Sequence, residues 1–226
     1  MSVLGLIPAR GGSKGIPRKN ILDFNGRPLI VCTIEAAKDA ECISRVVVST
    51  EDEEVANISR AWGADVPFMR PVGLASDDTA GIEPVLHALS ILPKFDWILV
   101  LQPTSPLRTA QDIEAVMNLA ETKNASSVVS VCEASTHPYW TYQRDTEEHL
   151  SPLVSSPSIY RRQDLPPAYA LNGALYLARC DWLLQSRTFM SPETLGYVMP
   201  IERSVDIDSP LDWKWAEFLM KEQDHG

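Results

Sequence analysis

The chain has 226 residues, of which 45% are hydrophobic and 22% are charged, and its formal net charge is −10. This balance is typical of a globular protein, and the length suits one large domain, so we expect a single domain over residues 1–226. The acidic excess argues against a nucleic-acid partner, because binding a phosphate backbone requires a basic face. A small polyphosphate is not excluded, since it needs only a local cluster of cations.

The start of the chain and its cysteines indicate where the protein works. The apolar start is too short for a signal peptide, and no stretch reaches the length of a transmembrane helix. The cysteines at positions 32, 42, 132 and 180 form no C-x-x-C pair, which is typical of reduced thiols. We therefore expect a cytoplasmic protein that does not bind membranes.

Strand patterns alternate with helix patterns, which predicts an α/β fold with a mostly parallel twisted sheet and helices on both faces. The expected strands are residues 3–7, 46–48, 66–69, 97–101, 127–132, 173–178 and 197–201. The expected helices are residues 27–40, a helix between a Thr50–Glu53 capping box and Gly63, residues 81–92, a helix capped by Thr109 and Asp112 that runs to about residue 122, and a last helix that begins with Ser209, Pro210 and Asp212. In such sheets ligands bind at the carboxyl ends of the strands, so polar clusters there are candidate site residues.

Residues 133–170 differ from the rest of the chain in composition and in periodicity. They contain prolines at positions 138, 152, 157, 166 and 167 and several aromatic residues, without a long periodicity. Because a structureless stretch of that length is unusual inside a compact domain, we expect a protruding arm that packs on a second subunit. A flexible surface excursion is the alternative.

A glycine-rich basic loop, residues 7–20 (IPARGGSKGIPRKN), follows the first predicted strand. Its three glycines would let backbone N–H groups approach phosphate oxygens, and four cations within ten residues would neutralise their charge. The spacing matches neither G-x-x-x-x-G-K-[ST] nor G-x-G-x-x-G, so this would be a phosphate loop of another kind. A plain turn with solvated cations is the alternative, but so many cations in an acidic chain favour an anion site.

Two further polar clusters follow predicted strands. Arg70 and the run 76–79 (SDDT) come after the third strand, although this run could equally be a helix N-cap series. Residues 101–108 (LQPTSPLR) end the fourth strand, and their two prolines favour a rigid exit that presents Gln102, Thr104, Ser105 and Arg108. A turn without a ligand is the alternative there.

Residues 203–208 (RSVDID) contain an Asp-x-Asp pattern. In an extended chain, residues two apart face the same side, so Asp206 and Asp208 would project together while Ile207 points into the core. Mg²⁺ usually binds through one or two carboxylates plus substrate phosphates, so we predict that Asp206 and Asp208 are ligands of Mg²⁺. The alternative is one solvated acid and one acid that caps the last helix.

The basic loop, the LQPTSPLR segment and residues 161–166 (RRQDLP) and 172–176 (NGALY) resemble the CMP-sialic acid synthetases, also called acylneuraminate cytidylyltransferases. The resemblance covers almost the whole chain. It implies a Rossmann-like nucleotidyltransferase fold, a loop that wraps the triphosphate of CTP, and a homodimer in which residues 133–170 form the dimerisation arm.

The resemblance also implies roles for individual residues. The nucleotide would be bound by Ala9, Arg10, Lys14, Lys19, Asn20 and Arg70. The sugar would be bound by Gln102, Arg162, Asn172, Tyr176 and Phe189. The catalytic residues would be Arg10 and Lys19, which stabilise phosphate charge, and Asp206 and Asp208, which hold the metal.

The predicted activity is transfer of CMP from CTP to the anomeric 2-hydroxyl of a sialic-acid-like nonulosonic acid, with pyrophosphate as the second product. An enzyme of the 3-deoxy-octulosonate type and a non-catalytic nucleotide-binding module are the alternatives. The sugar itself stays open among N-acetylneuraminate, legionaminate, pseudaminate and their relatives. Residues 169–171 (YAL) lack a further arginine that family members using N-acetylneuraminate can carry there.

Overall fold

The computed structural model describes residues 1–155 and 161–224. In chain order its strands and helices are β1 (Val3–Pro8), β2 (Asp23–Phe24), β3 (Arg27–Pro28), α1 (Leu29–Asp39), β4 (Arg45–Ser49), α2 (Glu53–Ala61), α3 (Glu83–Ile91), β5 (Trp97–Leu101), α4 (Ala110–Thr122), β6 (Ser127–Glu133), β7 (Tyr142–Arg144), β8 (Leu150–Pro152), β9 (Tyr169–Arg179), α5 (Cys180–Ser186), β10 (Leu195–Val198) and α6 (Pro210–Asp224). Over these two ranges, no helix combines the length and the apolar character that a bilayer crossing requires.

Six strands form one sheet in the order β10-β6-β9-β5-β1-β4. Neighbouring strands are parallel except where β9 is involved, which runs antiparallel to both β5 and β6. The predicted mostly parallel sheet is therefore confirmed. The direction of β9 could not be predicted, because a buried apolar run does not reveal which way a strand points.

Side chains that alternate along β1 anchor the two faces of the sheet. Val3 and Ile7 pack in one apolar cluster with residues of α1 and α4. Leu4 and Leu6 pack in a second cluster with residues of α3 and α5. Successive residues of a strand point to opposite faces, so helices cover both sides of the sheet, as expected.

A third apolar cluster joins the two ends of the chain. It contains Ile16 of the basic loop, Phe24 of β2, Trp213 of α6 and Ile207, which precedes α6. The rings of Phe24 and Trp213 meet edge to face with centroids 5.3 Å apart. This packing holds the residues before α6 against the basic loop.

The predicted cap of α2 was wrong. The N-cap is Asp52, whose carboxylate accepts hydrogen bonds from the N–H groups of Glu54 and Val55, both at 3.0 Å. The hydroxyl of Thr50 instead accepts from the N–H of Asp52 at 3.1 Å. Asp and Thr are both good N-caps, so the sequence pattern alone could not choose between them. The predicted caps Thr109–Asp112 and Ser209–Asp212 are confirmed.

The strand predicted at residues 66–69 was also wrong. These residues have no strand conformation, and the sheet edge beside β4 is extended only by an isolated bridge between Val47 and Asp65. Pro67 lacks the N–H group that a further ladder bond would need.

The arm predicted at residues 133–170 leaves the sheet between β6 and β9, which pair as far as Glu133 and Tyr169. Beyond that point, β7 and β8 form an exposed antiparallel hairpin. Residues 156–160 of the arm lie outside the described part of the chain. The expected role of this arm in dimerisation stays a prediction.

Candidate active site

A cleft of about 410 Å³ opens beyond the carboxyl ends of β1 and β5. Its lining includes the basic loop after β1, residues between positions 70 and 84, the segment that follows β5, and residues before α6. Eight of the predicted site residues lie in this lining, namely Arg10, Lys19, Asn20, Arg70, Gln102, Tyr176, Asp206 and Asp208. The structure thus gathers residues from both ends of the chain at one edge of the sheet.

Lys19 links the basic loop to residues 203–208, called the acidic segment below. The residue is only 8% exposed, and its ammonium donates hydrogen bonds to the carbonyl oxygen of Ile207 and, at 3.1 Å, to Oδ1 of Asp208. Gly15 reinforces this join, because a Cβ atom there would overlap the carbonyl oxygen of Asp208. The loop and the acidic segment are therefore packed against each other directly.

The glycines of the loop serve two different purposes. A Cβ atom at Gly11 would overlap the carboxylate of Asp52, so this position needs glycine for packing. At Gly12, which lines the cleft, no described atom lies within 4 Å of the position that a Cβ would take. Gly12 is therefore the loop glycine whose backbone a ligand can approach, as expected for a phosphate loop.

The loop cations differ in their partners. Arg10 and Lys14 both pair with Asp77, at 2.6 and 3.0 Å. Bonds from Lys14 and then Arg10 hold the pKa of Asp77 below its usual value. Arg18 pairs instead with Asp52 and Glu54 at the start of α2. Asp77 thus pairs with two of the cations that a phosphate ligand would need.

Asn20 supports the loop from within. Its side-chain amide donates to the carbonyl oxygen of Arg10 at 2.8 Å, and among the described residues its Oδ1 atom is buried without a donor. Ala9, in contrast, is buried in the core, and its N–H donates to the carbonyl oxygen of Ser49 at 3.0 Å. Asn20 therefore has an acceptor left for a ligand, whereas the methyl group of Ala9 is used in packing.

Glu51 is a site residue that the sequence analysis missed. It follows β4, and its carboxylate accepts from the N–H of Gly11 and from Nη2 of Arg70, both at 2.7 Å. Arg70 is 5% exposed, and among the described residues its Nε–H has no acceptor. Glu51 could have been identified from its position shortly after a strand, where the residues of such sites lie.

The acidic segment is fixed on both sides. The N–H of Ile207 donates to the carbonyl oxygen of Thr104 at 2.8 Å, and the Ile207 side chain is buried while Asp206 and Asp208 line the cleft. Burial raises the pKa of Asp206 above its usual value, the nearby charge of Asp208 adds to the rise, and a hydrogen bond with Thr104 opposes it. Two carboxylates therefore face the cleft together, as the Asp-x-Asp pattern predicts.

This pair of carboxylates suits a hard divalent cation. Within residues 1–155 and 161–224, no group of three or more His, Cys, Asp and Glu side chains is arranged to hold a metal. Mg²⁺ does not need such a group, because it keeps several waters and binds through one or two carboxylates plus substrate phosphates. The donor set of Asp206 and Asp208 therefore fits Mg²⁺ only in company with a phosphate ligand.

Arg203 and Arg108 prove to be structural. Arg203 pairs with the buried Asp112 at 2.8 Å, which fixes the start of the acidic segment on α4. Arg108, expected to present donors to a ligand, is buried and donates to the carbonyl oxygen of Ala174 at 2.8 Å and to Oγ1 of Thr33 at 2.7 Å. Burial lowers its pKa to about 10.

Only some of the residues predicted to bind the sugar line the cleft. Gln102 and Tyr176 line the cleft, and Phe189 packs against Tyr176 with ring centroids 5.6 Å apart. The carboxamide of Asn172 is buried, where it donates to Oγ of Ser204 at 2.9 Å and accepts from Oγ of Ser130 at 2.6 Å. Asn172 therefore supports the neighbouring cleft residue Gly173 rather than offering a free amide.

The side chain of Arg162 lies outside the described part of the structure. Lys14 is largely exposed at the edge of the loop, where it meets only Asp77 among the described acids. The predicted roles of both residues stay predictions.

The fold and the site define a class of α/β protein in which a basic loop and a carboxylate pair face one cleft, an arrangement suited to a polyanion and a divalent cation. The family model described as cytidylyltransferase matches residues 4–204. The chain therefore belongs to the cytidylyltransferase family.

Individual relatives agree with this assignment. The chain is 36% identical to the CMP-N,N'-diacetyllegionaminic acid synthase of Legionella pneumophila, over 98% of this chain and 97% of that protein. It is 35% identical to the N-acylneuraminate cytidylyltransferase of Escherichia coli, over 95% of this chain but 51% of that longer protein. A solved structure of CMP:2-keto-3-deoxy-manno-octonic acid synthetase complexed with CTP shares the fold, with a TM-score of 0.75 and 19% identity over 99% of this chain and 100% of that one.

Proposed function

We propose that the protein transfers CMP from CTP to the anomeric 2-hydroxyl of a nonulosonic acid. The observation that carries this proposal is the contact between Lys19 and Asp208, which joins the glycine-rich basic loop to a carboxylate pair in one cleft. Two relatives that match nearly the whole chain are named for CMP-sugar synthesis from sugars of this class.

In the proposed reaction, the 2-hydroxyl oxygen of the sugar forms a bond to the α-phosphorus of CTP. The bond from that phosphorus to the bridging oxygen of the β-phosphate breaks, pyrophosphate leaves, and the hydroxyl proton is lost to solvent. Transfer to phosphorus depends mainly on positioning and on neutralising charge. Arg10 and Lys19 would supply the positive charge, and the backbone at Gly12 would let the phosphates approach.

Magnesium is the second part of the proposal. Asp206 and Asp208 would hold Mg²⁺, which when bound would neutralise phosphate charge and lower the pKa of the attacking hydroxyl. Burial is the main cause of the raised pKa of Asp206 and the charge of Asp208 adds to it, so a cation beside the two carboxylates would favour their charged forms.

The base and the sugar would occupy opposite parts of the cleft lining. The Nε–H of the buried Arg70 and Oδ1 of Asn20, neither of which has a partner among the described residues, are a donor and an acceptor suited to the edge of cytosine or to the ribose. Gln102 and Tyr176 would meet the sugar, with Phe189 packed against Tyr176. These assignments, and those of Arg162 and Asn172, are proposals.

We also propose that the enzyme is a cytoplasmic homodimer joined through the arm. Exposed apolar side chains lie along the arm and at its base, among them Tyr142, Leu150, Leu153, Tyr169 and Leu171. All four cysteines are free, in keeping with a reducing compartment.

Sedimentation equilibrium should give twice the chain mass of 25.1 kDa, and Leu150→Asp should shift the measured mass toward that of the monomer. A monomeric wild-type protein would contradict the proposed dimer.

The experiment that tests the activity is a substrate panel. The purified protein is incubated with CTP, Mg²⁺ and, separately, N-acetylneuraminate, N,N'-diacetyllegionaminate, a pseudaminate and 3-deoxy-manno-octulosonate, and pyrophosphate release is measured. We expect release with at least one nonulosonic acid and little with the octulosonate. Release with the octulosonate alone, or with none of the sugars, would contradict the proposal.

A further inference from the structure

Glu51 has no part in the chemistry proposed above, yet it touches two parts of the nucleotide site. Its side chain is 14% exposed. One carboxylate oxygen accepts from the backbone N–H of Gly11, and the other accepts from Nη2 of Arg70, both at 2.7 Å. A single carboxylate thus bridges the basic loop and the buried arginine.

Both contacts constrain the groups they hold. Gly11 already packs tightly against Asp52, so the bond from Glu51 fixes the loop from a second direction. The guanidinium of Arg70 is almost completely buried, and a buried cation needs a paired anion to be stable. Glu51 supplies that anion at Nη2 and leaves the Nε–H of Arg70, unpartnered among the described residues, for a ligand.

The backbone adds a third connection at the same point. The N–H of Arg70 donates to the carbonyl oxygen of Thr50, the residue before Glu51, at 2.8 Å. The main chain and the side chain therefore place Arg70 relative to the end of β4. A shift of Glu51 would move the loop and Arg70 together.

We propose that Glu51 is a positioning residue that couples recognition of the triphosphate by the basic loop to recognition of the nucleoside by Arg70. This inference rests on the proposed function, because it takes CTP as the ligand. Glu51 would not touch CTP itself; it would act by holding Gly11 and Arg70 in the geometry that CTP requires.

Calorimetric titration with two probes separates the two effects. Inorganic tripolyphosphate reports binding by the loop alone, whereas the ratio of the affinities for CTP and tripolyphosphate reports the contribution of the nucleoside. Both are titrated in one magnesium-containing buffer into the wild-type protein, Glu51→Gln, Arg70→Gln and the double variant. Glu53→Gln, two residues further along, is the matched control for removal of one exposed negative charge.

We expect Glu51→Gln to weaken tripolyphosphate binding about tenfold and to lower the CTP-to-tripolyphosphate ratio by about another tenfold, because each contact is a hydrogen bond to a charged group. Arg70→Gln should lower the ratio and leave tripolyphosphate affinity unchanged. In the double variant the ratio should fall no further than in Arg70→Gln, since the two residues act as one unit. Glu53→Gln should bind both probes like the wild type.

A variant Glu51→Gln that keeps both affinities, or that loses only one of the two effects, overturns the coupling. The binding stoichiometry reports the folded fraction, so a drop in stoichiometry with unchanged affinities shows a purely structural role and also overturns it. If Glu51→Gln does not fold, Glu51→Asp keeps the charge but shortens the reach, and the same two losses are expected. A wild-type protein that fails to bind CTP would instead contradict the proposed function.

Discussion

The ammonium of Lys19 and the carboxylate of Asp208 lie 3.1 Å apart although the two residues are separated by 189 positions in the chain. Lys19 is nearly buried, while the side chain of Asp208 is 80% exposed. The contact therefore fixes the lysine and leaves oxygen atoms of the aspartate open to the cleft. It joins the loop proposed to bind phosphates to the pair proposed to bind Mg²⁺.

Replacing Asp208 with Asn tests the metal role. We expect kcat to fall by about 100-fold or more, because an amide is a poor ligand for Mg²⁺ and no longer carries the charge. The melting temperature should fall only slightly, because an amide oxygen at this position can still accept from Lys19, which also keeps its bond to the carbonyl oxygen of Ile207. Glu202→Gln, an exposed acid shortly before the segment, is the control and should keep its activity. Turnover close to that of the wild type in Asp208→Asn would refute the metal role.

The two loop glycines Gly15 and Gly12 offer a matched pair of alanine substitutions. Gly15→Ala should lower both the melting temperature and activity, because its Cβ would overlap the carbonyl oxygen of Asp208 and force the loop away from the acidic segment. Gly12→Ala should fold normally, since no described atom lies within 4 Å of the new Cβ, and should weaken CTP binding only. Thermal melts and calorimetry check both variants. Equal stability of the two variants would contradict the tight join at Gly15.

Asp77 competes with the nucleotide for the loop cations. CTP must replace Asp77 at Arg10 and Lys14, so Asp77→Asn should bind CTP roughly two- to fivefold more tightly at low salt. The gain should shrink as ionic strength rises, because exposed charge pairs are screened. Asp78→Asn is the control, since within the described residues Asp78 forms no ion pair with either cation. Weaker CTP binding by Asp77→Asn would show that Asp77 supports the ligand instead.

Asp112 should make stability depend on pH. Burial alone would raise its pKa, but hydrogen bonds from Arg203 and Thr109 outweigh that and hold the pKa below its usual value. A carboxylate with a lowered folded-state pKa contributes stability above its unfolded pKa of about 3.9 and loses it as the pH falls through the folded value. Asp112→Asn should therefore lower the free energy of unfolding by about 2 kcal/mol at pH 7, and this difference should narrow below about pH 4.

Urea denaturation of Asp112→Asn and the wild type at pH 7 and at pH 3 measures this difference. Arg203 is partly exposed, so solvent reduces the cost of leaving it unpaired. A difference that stays constant from pH 7 to pH 3 would show that Asp112 acts through packing and not through its charge.

Much of the site could be predicted from the sequence because its parts are local. Glycines and cations after an apolar strand mark the loop, and the alternation of Asp206, Ile207 and Asp208 sets which side chains face the cleft. Their convergence follows from a general property of parallel sheets, whose strands present their carboxyl ends at one edge.

What could not be predicted depends on long-range packing. The carboxylate of Glu51 matters only because the loop and Arg70 fold to either side of it, and nothing in the sequence near Glu51 reveals these partners. Arg108 lies in a polar loop but turns inward, because Thr33 and the carbonyl oxygen of Ala174 offer it acceptors. The same limit applies to the cap of α2, where Asp52 and Thr50 are equally suitable in sequence.

The most direct test of the central claim is a crystal structure with CTP and Mn²⁺, in which anomalous scattering locates the ion in place of Mg²⁺. We expect the triphosphate to lie along Arg10, Gly12 and Lys19, with Asp77 displaced from Arg10. The ion should contact the carboxylates of Asp206 and Asp208. A nucleotide bound outside this cleft, or an ion that contacts neither carboxylate, would contradict the account.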